Sequence, residues 1–242
     1  MVNIFKRIKR AFNVYFPSRH TIGKAGKNSV IEFPVFISSP KDVIMEPDTR
    51  IRNGTKILNS RDNKVTIKRY TVISPNCTFV TNNHRSTVGI PQILLGISRI
   101  NDDFVDLTIE EDVWVGANAT LVTVSRVGRG AVIGANSLVT KDVPPYALVV
   151  GSPARVVGVK FSIDEIMEHE KILYPEEQRL SREYLEALFA KYYNGLKPYG
   201  IKSELSDADI QWLTECAKRR KFTDKDYINR LKQHVNAESG QQ

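Results

Sequence analysis

Residues 109–144 read IEEDVW VGANAT LVTVSR VGRGAV IGANSL VTKDVP, and an aliphatic residue opens every hexapeptide: Ile109, Val115, Leu121, Val127, Ile133 and Val139. The fifth position is small or β-branched each time, at Val113, Ala119, Ser125, Ala131, Ser137 and Val143. A six-residue period matches neither the turn of an amphipathic helix nor the long alternation of an ordinary strand. It matches a triangular coil in which three hexapeptides make one turn. Each hexapeptide then supplies a short strand with its first residue pointing inward, and a corner where Gly or Asn takes positive φ. VGANAT and IGANSL stand 18 residues apart, so one lies above the other. Val115 is expected against Ile133, Leu121 against Val139 and Ile109 against Val127, with parallel pairing satisfying the backbone.

Upstream the period continues more loosely as IKRYTV, ISPNCT and FVTNNH, opened by Ile67, Ile73 and Phe79. Cys77 falls at a small fifth position there, which predicts inert packing rather than nucleophilic chemistry. From Val30 to Ile57, spaced aliphatics and the Asn53-Gly54 turn read as degenerate first coils. Between His84 and Leu107 the period is lost, which predicts a loop leaving the prism, and long loops in compact domains are often functional.

The ends of the chain carry different signals. Ile4, Ile8 and Phe12 form one helical stripe among Lys6, Arg7, Lys9 and Arg10, a short basic amphipathic helix. Such a stripe packs on the body of the protein or on a neighbouring subunit, or it meets an anionic membrane surface. After Lys160 helix signals take over: Ser162-x-x-Glu165, Ser206-x-x-Asp209 and Thr223-x-x-Asp226 resemble capping boxes, and Gly195 reads as a helix stop. The expected organisation is a basic N-terminal helix over 1–18, a β-helical domain over 19–160 with an excursion at about 85–107, and a helical region over 161–242.

With 41% hydrophobic and 26% charged residues among 242, the composition is that of a folded globular protein. No apolar run long enough for a membrane span is present, and the N-terminus lacks a secretory pattern, so a cytoplasmic location is expected. Cys77 and Cys216 are too far apart in sequence for CxxC or Cys/His spacing, which predicts neither a zinc site nor a disulfide framework. The formal charge of +8 suits anionic partners. Nucleic acid is not among those expected, because no zinc-finger, helix-turn-helix or aromatic RNA-binding pattern accompanies the basic residues.

From Ile109 to Val156 these residues resemble the hexapeptide-repeat acyltransferases, which include maltose, galactoside, xenobiotic and bacterial polysaccharide O-acetyltransferases. The likeness is weaker over residues 30–83. It implies an all-β left-handed parallel β-helix, a hexapeptide-repeat prism, with a short N-terminal helix and a C-terminal α-helical appendage. It also implies a homotrimer with acetyl-coenzyme A in the cleft between subunits and no metal. By the family motif, Ala117 and Ala135 give corner backbone contacts to the cofactor, while Thr140, Lys141 and Arg155 approach its phosphorylated adenosine end. The matching catalytic residue is His84, the only histidine between Thr21 and Asp164. Asp62, Asn82 and Asn83 align near the acceptor pocket. Imidazole can take a proton from a hydroxyl near neutral pH and pass it to a departing thiolate.

Thr123-Val124 stands where the family often has Pro-Gly, and Arg85 follows the histidine where the maltose branch has Pro. Both departures lean toward the polysaccharide and xenobiotic branches. The acceptor expected is a saccharide hydroxyl in surface polysaccharide synthesis; an antibiotic hydroxyl, an amino sugar on a nucleotide, and a non-catalytic scaffold stay open as alternatives. A γ-type carbonic anhydrase on the same prism needs three histidines, and the repeat region has one.

Overall fold

The computed structural model describes residues 2–202 and 205–239, without the side chains of residues 2, 3, 5, 6, 10 and 236–239. The chain divides into two compact units, Met1–Val157 and Gly158–Gln242.

In the first unit the chain passes in rotation through three parallel sheets. Lys24–Ala25, Val43–Met45, Val65–Ile67, Leu107–Ile109 and Arg126–Val127 form one face. Val30–Ile31, Arg50–Ile51, Val72–Ile73, Trp114–Val115 and Val132–Ile133 form the second, which Ala147–Gly151 and Ala154–Val159 extend. Phe36–Ile37, Lys56–Leu58, Thr78–Val80, Thr120–Val122 and Leu138–Val139 form the third. The hexapeptide register holds: Val115 pairs with Ile133, Leu121 with Val139 and Ile109 with Val127. All six are buried, and full burial of such a side chain contributes about 1.5–3 kcal/mol.

The upstream coils carry the same columns at wider spacing. Ile31 pairs with Ile51, 20 residues on, and Ile51 with Ile73, 22 residues on. These longer coils are the reason the six-residue period fades there. Corners are turned in the left-handed region by Asn76, Asn118 and Asn136, at φ of 61°, 60° and 58°. Asparagine tolerates that conformation better than other side chains. At Gly116 the demand is for closeness instead. An added Cβ would lie 2.6 Å from the Ala135 nitrogen and 2.7 Å from the Ile133 oxygen of the next coil.

One corner departs from the expected pattern. Thr123 takes φ of 50°, Val124 becomes buried, and Ser125 is exposed rather than packed inside. Its amide and hydroxyl donate to the Asp142 carboxylate at 2.8 and 2.6 Å, so the chain is held at this corner by polar bonds. Cys77 is packed as expected: burial pushes its thiol up to about 11, against backbone hydrogen bonds from Ala119 and Asn118 that pull it down.

Helix α1 (Val2–Tyr15) precedes the coils, with Tyr15 edge-on to Phe36 at 5.2 Å. Ile4, Ile8 and Phe12 are 62%, 60% and 60% exposed, so the stripe faces solvent in the single chain. Of the four cations, Arg7 and Lys9 are exposed, and the side chains of Lys6 and Arg10 lie outside the described residues. The interruption after Phe79 is structured, not a bare loop. Strands Asn82–His84 and Asp102–Phe104 pair antiparallel, and helix α2 (Gln92–Ser98) lies between them in sequence.

The second unit contains α3 (Ile163–Leu173), α4 (Arg182–Tyr192), α5 (Asp207–Arg219) and α6 (Tyr227–Ser239). Ser162 with Glu165 and Ser206 with Asp209 form full capping boxes. The third expected box is different: α6 begins at Tyr227, whose N–H is accepted by the Asp224 carboxylate at 3.0 Å. Gly195, at φ of 75°, follows the end of α4. No helix among the described residues is long and apolar enough to cross a membrane.

Candidate active site

The excursion is fixed where it leaves the prism. Buried Asn63 donates through Nδ2 to the carbonyls of Thr81 and Val105, at 2.9 and 3.0 Å, and so clasps both stems. Asp106 accepts the Lys64 N–H at 2.7 Å beside it. From this clasp the two short strands run out with His84 directly opposite Asp102. Side chains directly opposite in an antiparallel pair lie on one face with their Cβ atoms about 5 Å apart.

That placement produces a bonded pair. His84 Nδ1 is 2.7 Å from Asp102 Oδ1. A carboxylate only accepts, so Nδ1 carries the hydrogen, and in the neutral form of the ring Nε2 keeps its lone pair. The His84 side chain is 39% exposed and Asp102 is 1% exposed, so the pair has one buried end and one open end. The second oxygen of Asp102 has no hydrogen-bond partner and faces Arg99 Nε at 3.8 Å. Arg99 stacks over Phe104 at 4.8 Å and donates to Asp62 at 2.6 Å, tying α2 back to the prism. Arg85 pairs with Asp103 on the neighbouring rung.

Of the expected acceptor residues, Asn82 is two residues from His84 on the same strand, and so shares its face. Asn83 is exposed on the opposite face. Asp62 is engaged by Arg99 and serves the excursion's anchorage. Asp102, Arg99 and Asn63 were not foreseen from sequence. The signal available was the acidic pair Asp102-Asp103, which complements His84-Arg85 across the interruption. His20 is exposed, His169 lies against Phe161 at 5.1 Å and His234 pairs with Glu168, so none shares this arrangement.

The expected cofactor residues lie on the outer side of successive coils. Ala117 and Ala135 occupy equivalent corners, the first partly exposed and the second exposed, and neither N–H is bound within the chain among the described residues. Thr140 and Lys141 are exposed beyond them, as is Arg155, whose Nη1 donates to the Ala154 carbonyl at 2.9 Å. No three His, Cys, Asp or Glu side chains among the described residues converge as a metal-ligand set.

Residues 106–141 match the family model "Bacterial transferase hexapeptide (six repeats)". Residues 106–141 thus carry hexapeptide repeats, and the three-sheet coil is a left-handed parallel β-helix. Acetyltransferases are among the known proteins this chain is similar to. A chloramphenicol acetyltransferase of Morganella morganii is 51% identical over 61 residues, 25% of this chain and 29% of that protein. A probable macrolide acetyltransferase of Lysinibacillus sphaericus is 34% identical over 116 residues, 43% of this chain and 64% of that protein. The chain thus spans under a third of the first relative and under two thirds of the second. A hexapeptide-repeat acetyltransferase from Vibrio cholerae superposes with a TM-score of 0.55 at 24% identity, over 65% of this chain and 90% of that one. A galactoside acetyltransferase in complex with coenzyme A gives 0.53 at 23%, over 73% and 87%.

Proposed function

We propose that the protein transfers an acetyl group from acetyl-coenzyme A to a hydroxyl, with His84 as general base. The observation that carries this reading is the His84–Asp102 pair, which leaves Nε2 bare at an open edge of the prism. The acceptor O–H gives its proton to Nε2 as its oxygen attacks the thioester carbonyl. The C–S bond then breaks, and the thiolate of coenzyme A takes the proton back from Nε2. No acyl-enzyme is needed. The free N–H groups of Ala117 and Ala135 offer donors to an extended cofactor chain, and Thr140, Lys141 and Arg155 lie where its phosphates would pass.

The acceptor we favour is a saccharide hydroxyl in surface polysaccharide synthesis, in the cytoplasm, on a homotrimer whose clefts hold the cofactor. The exposed α1 stripe and its cations suit peripheral contact with an anionic membrane, where a lipid-linked saccharide would be met. The second reading, an antibiotic hydroxyl, is favoured by the chloramphenicol and macrolide acetyltransferases among the relatives. Free thiol release from acetyl-coenzyme A, followed across sugars, oligosaccharides, nucleotide sugars and antibiotics, tests both. Release with none of them overturns acetyl transfer and favours a scaffold.

Two further outcomes belong to this reading. Asp102 acts as a positioning residue, so Asp102→Asn, whose amide can present oxygen or NH2 to Nδ1, should lower kcat about 10–100-fold. The KM for acetyl-coenzyme A should stay unchanged; a parallel rise in that KM would make Asp102 merely structural. Lys141→Ala and Arg155→Ala should each raise that KM about three- to tenfold, modest because both are exposed. Unchanged donor KM in both variants places the phosphates elsewhere.

A further inference from the structure

Gly96 lies inside α2, a position where glycine is disfavoured relative to alanine because of its backbone freedom. Its φ is not in the left-handed region, so the backbone does not require glycine. Packing does not require it either. Beyond its own helix backbone and chain neighbours, an added Cβ would have one heavy atom within 4 Å, His84 Nε2, at 4.0 Å. That is ordinary contact distance. What glycine preserves here is open space beside the nitrogen that the proposed reaction uses.

We propose that Gly96 is a specificity-determining residue, whose missing side chain admits a secondary hydroxyl borne on a ring; this rests on the reading of His84 as base. A hydroxyl oxygen handing its proton to Nε2 sits about 2.6–3.2 Å away. The carbon bearing it then stands about 3.5–4 Å from the nitrogen, the shell that a Cβ at position 96 would enter. A primary alcohol brings one further carbon into that shell and a secondary alcohol brings two. Fully buried Leu95 anchors α2, so the wall cannot simply retreat. Ile93, one turn earlier on the face of Gly96, is 75% exposed and offers an apolar flank without charge. The acceptor chemistry that fits is a neutral ring alcohol, found on pyranose sugars and on macrolide antibiotics alike.

The test compares wild type, G96A, G96V and H84A with acetyl-coenzyme A and three acceptors. Methyl xylopyranoside has only secondary hydroxyls, methyl glucopyranoside adds a primary one, and a macrolide aglycone, stripped of its sugars, supplies the non-sugar source. In G96A, transfer to secondary hydroxyls should fall about tenfold or more, and further in G96V. The share of product acetylated at the primary position of methyl glucoside should rise. Tm should rise by about 1–4 °C in G96A, because the helix gains from alanine, and the donor KM should stay within twofold. Which of xyloside and macrolide wild type accepts distinguishes the two sources. Secondary transfer by G96A within twofold of wild type overturns the role of Gly96, as does a wild type that acetylates primary hydroxyls only. A loss accompanied by lowered Tm or raised donor KM overturns it too. Activity retained in H84A overturns the base assignment instead, so the two failures are separate.

Discussion

Replacing His84 by alanine is expected to lower turnover by about a hundred- to ten-thousand-fold, the range that a positioned general base contributes. Only Nε2 of this imidazole is unbonded, and no other histidine is near the excursion's hairpin in sequence or pairing. The alanine variant also leaves the Asp102 carboxylate buried without its donor, with Arg99 at 3.8 Å as its nearest cation. His84→Asn separates these two effects. Its amide can still donate to Asp102, yet it cannot take the acceptor's proton, so it should be nearly as poor as alanine in turnover while melting closer to wild type. Acetyl-coenzyme A binding, measured by calorimetry, should survive in both. Near-normal turnover of either variant on an acceptor that wild type consumes places the base elsewhere.

The prism is legible because its period is enforced by geometry. Wherever a coil has three hexapeptides, as between Val115 and Ile133, sequence spacing and sheet register coincide. The coils opened by Ile31 and Ile51 hold two and four extra residues in their corners, and the period blurs although the columns are intact. Ser125 shows the limit within the strict region. Position five is small there because the pattern says so, yet the Thr123 corner turns Val124 inward and leaves Ser125 to Asp142. His84 could be singled out by its place at the break in the period. For Asp102 the acidic pair Asp102-Asp103 was the one signal, and it does not fix the partner, since that depends on an antiparallel register across α2 that no local spacing encodes. The same holds for Gly96, whose meaning comes from the one atom it faces.

Phe79→Ala is expected to destabilise the fold by about 3–5 kcal/mol, the usual consequence of emptying a large aromatic site in a close-packed core. Phe79 is fully buried in the column Ile37, Ile57, Phe79, Leu121 and Val139, between a coil below and a coil above. Parallel hydrogen bonds on all three faces fix the spacing of those coils, so the walls cannot close over the vacancy. Position 79 is also three residues from Asn82, where the excursion begins, and Thr81 between them is held by Asn63. Urea unfolding repeated over a range of protein concentrations separates the effect from any change in association. Ile73→Val, a smaller deletion in the adjacent column, should cost only about 0.5–1.5 kcal/mol. The two variants together test whether the interior is one rigid stack. A Phe79→Ala loss below that of Ile73→Val means that the coils can collapse, and that the column does not set the frame on which His84 is carried.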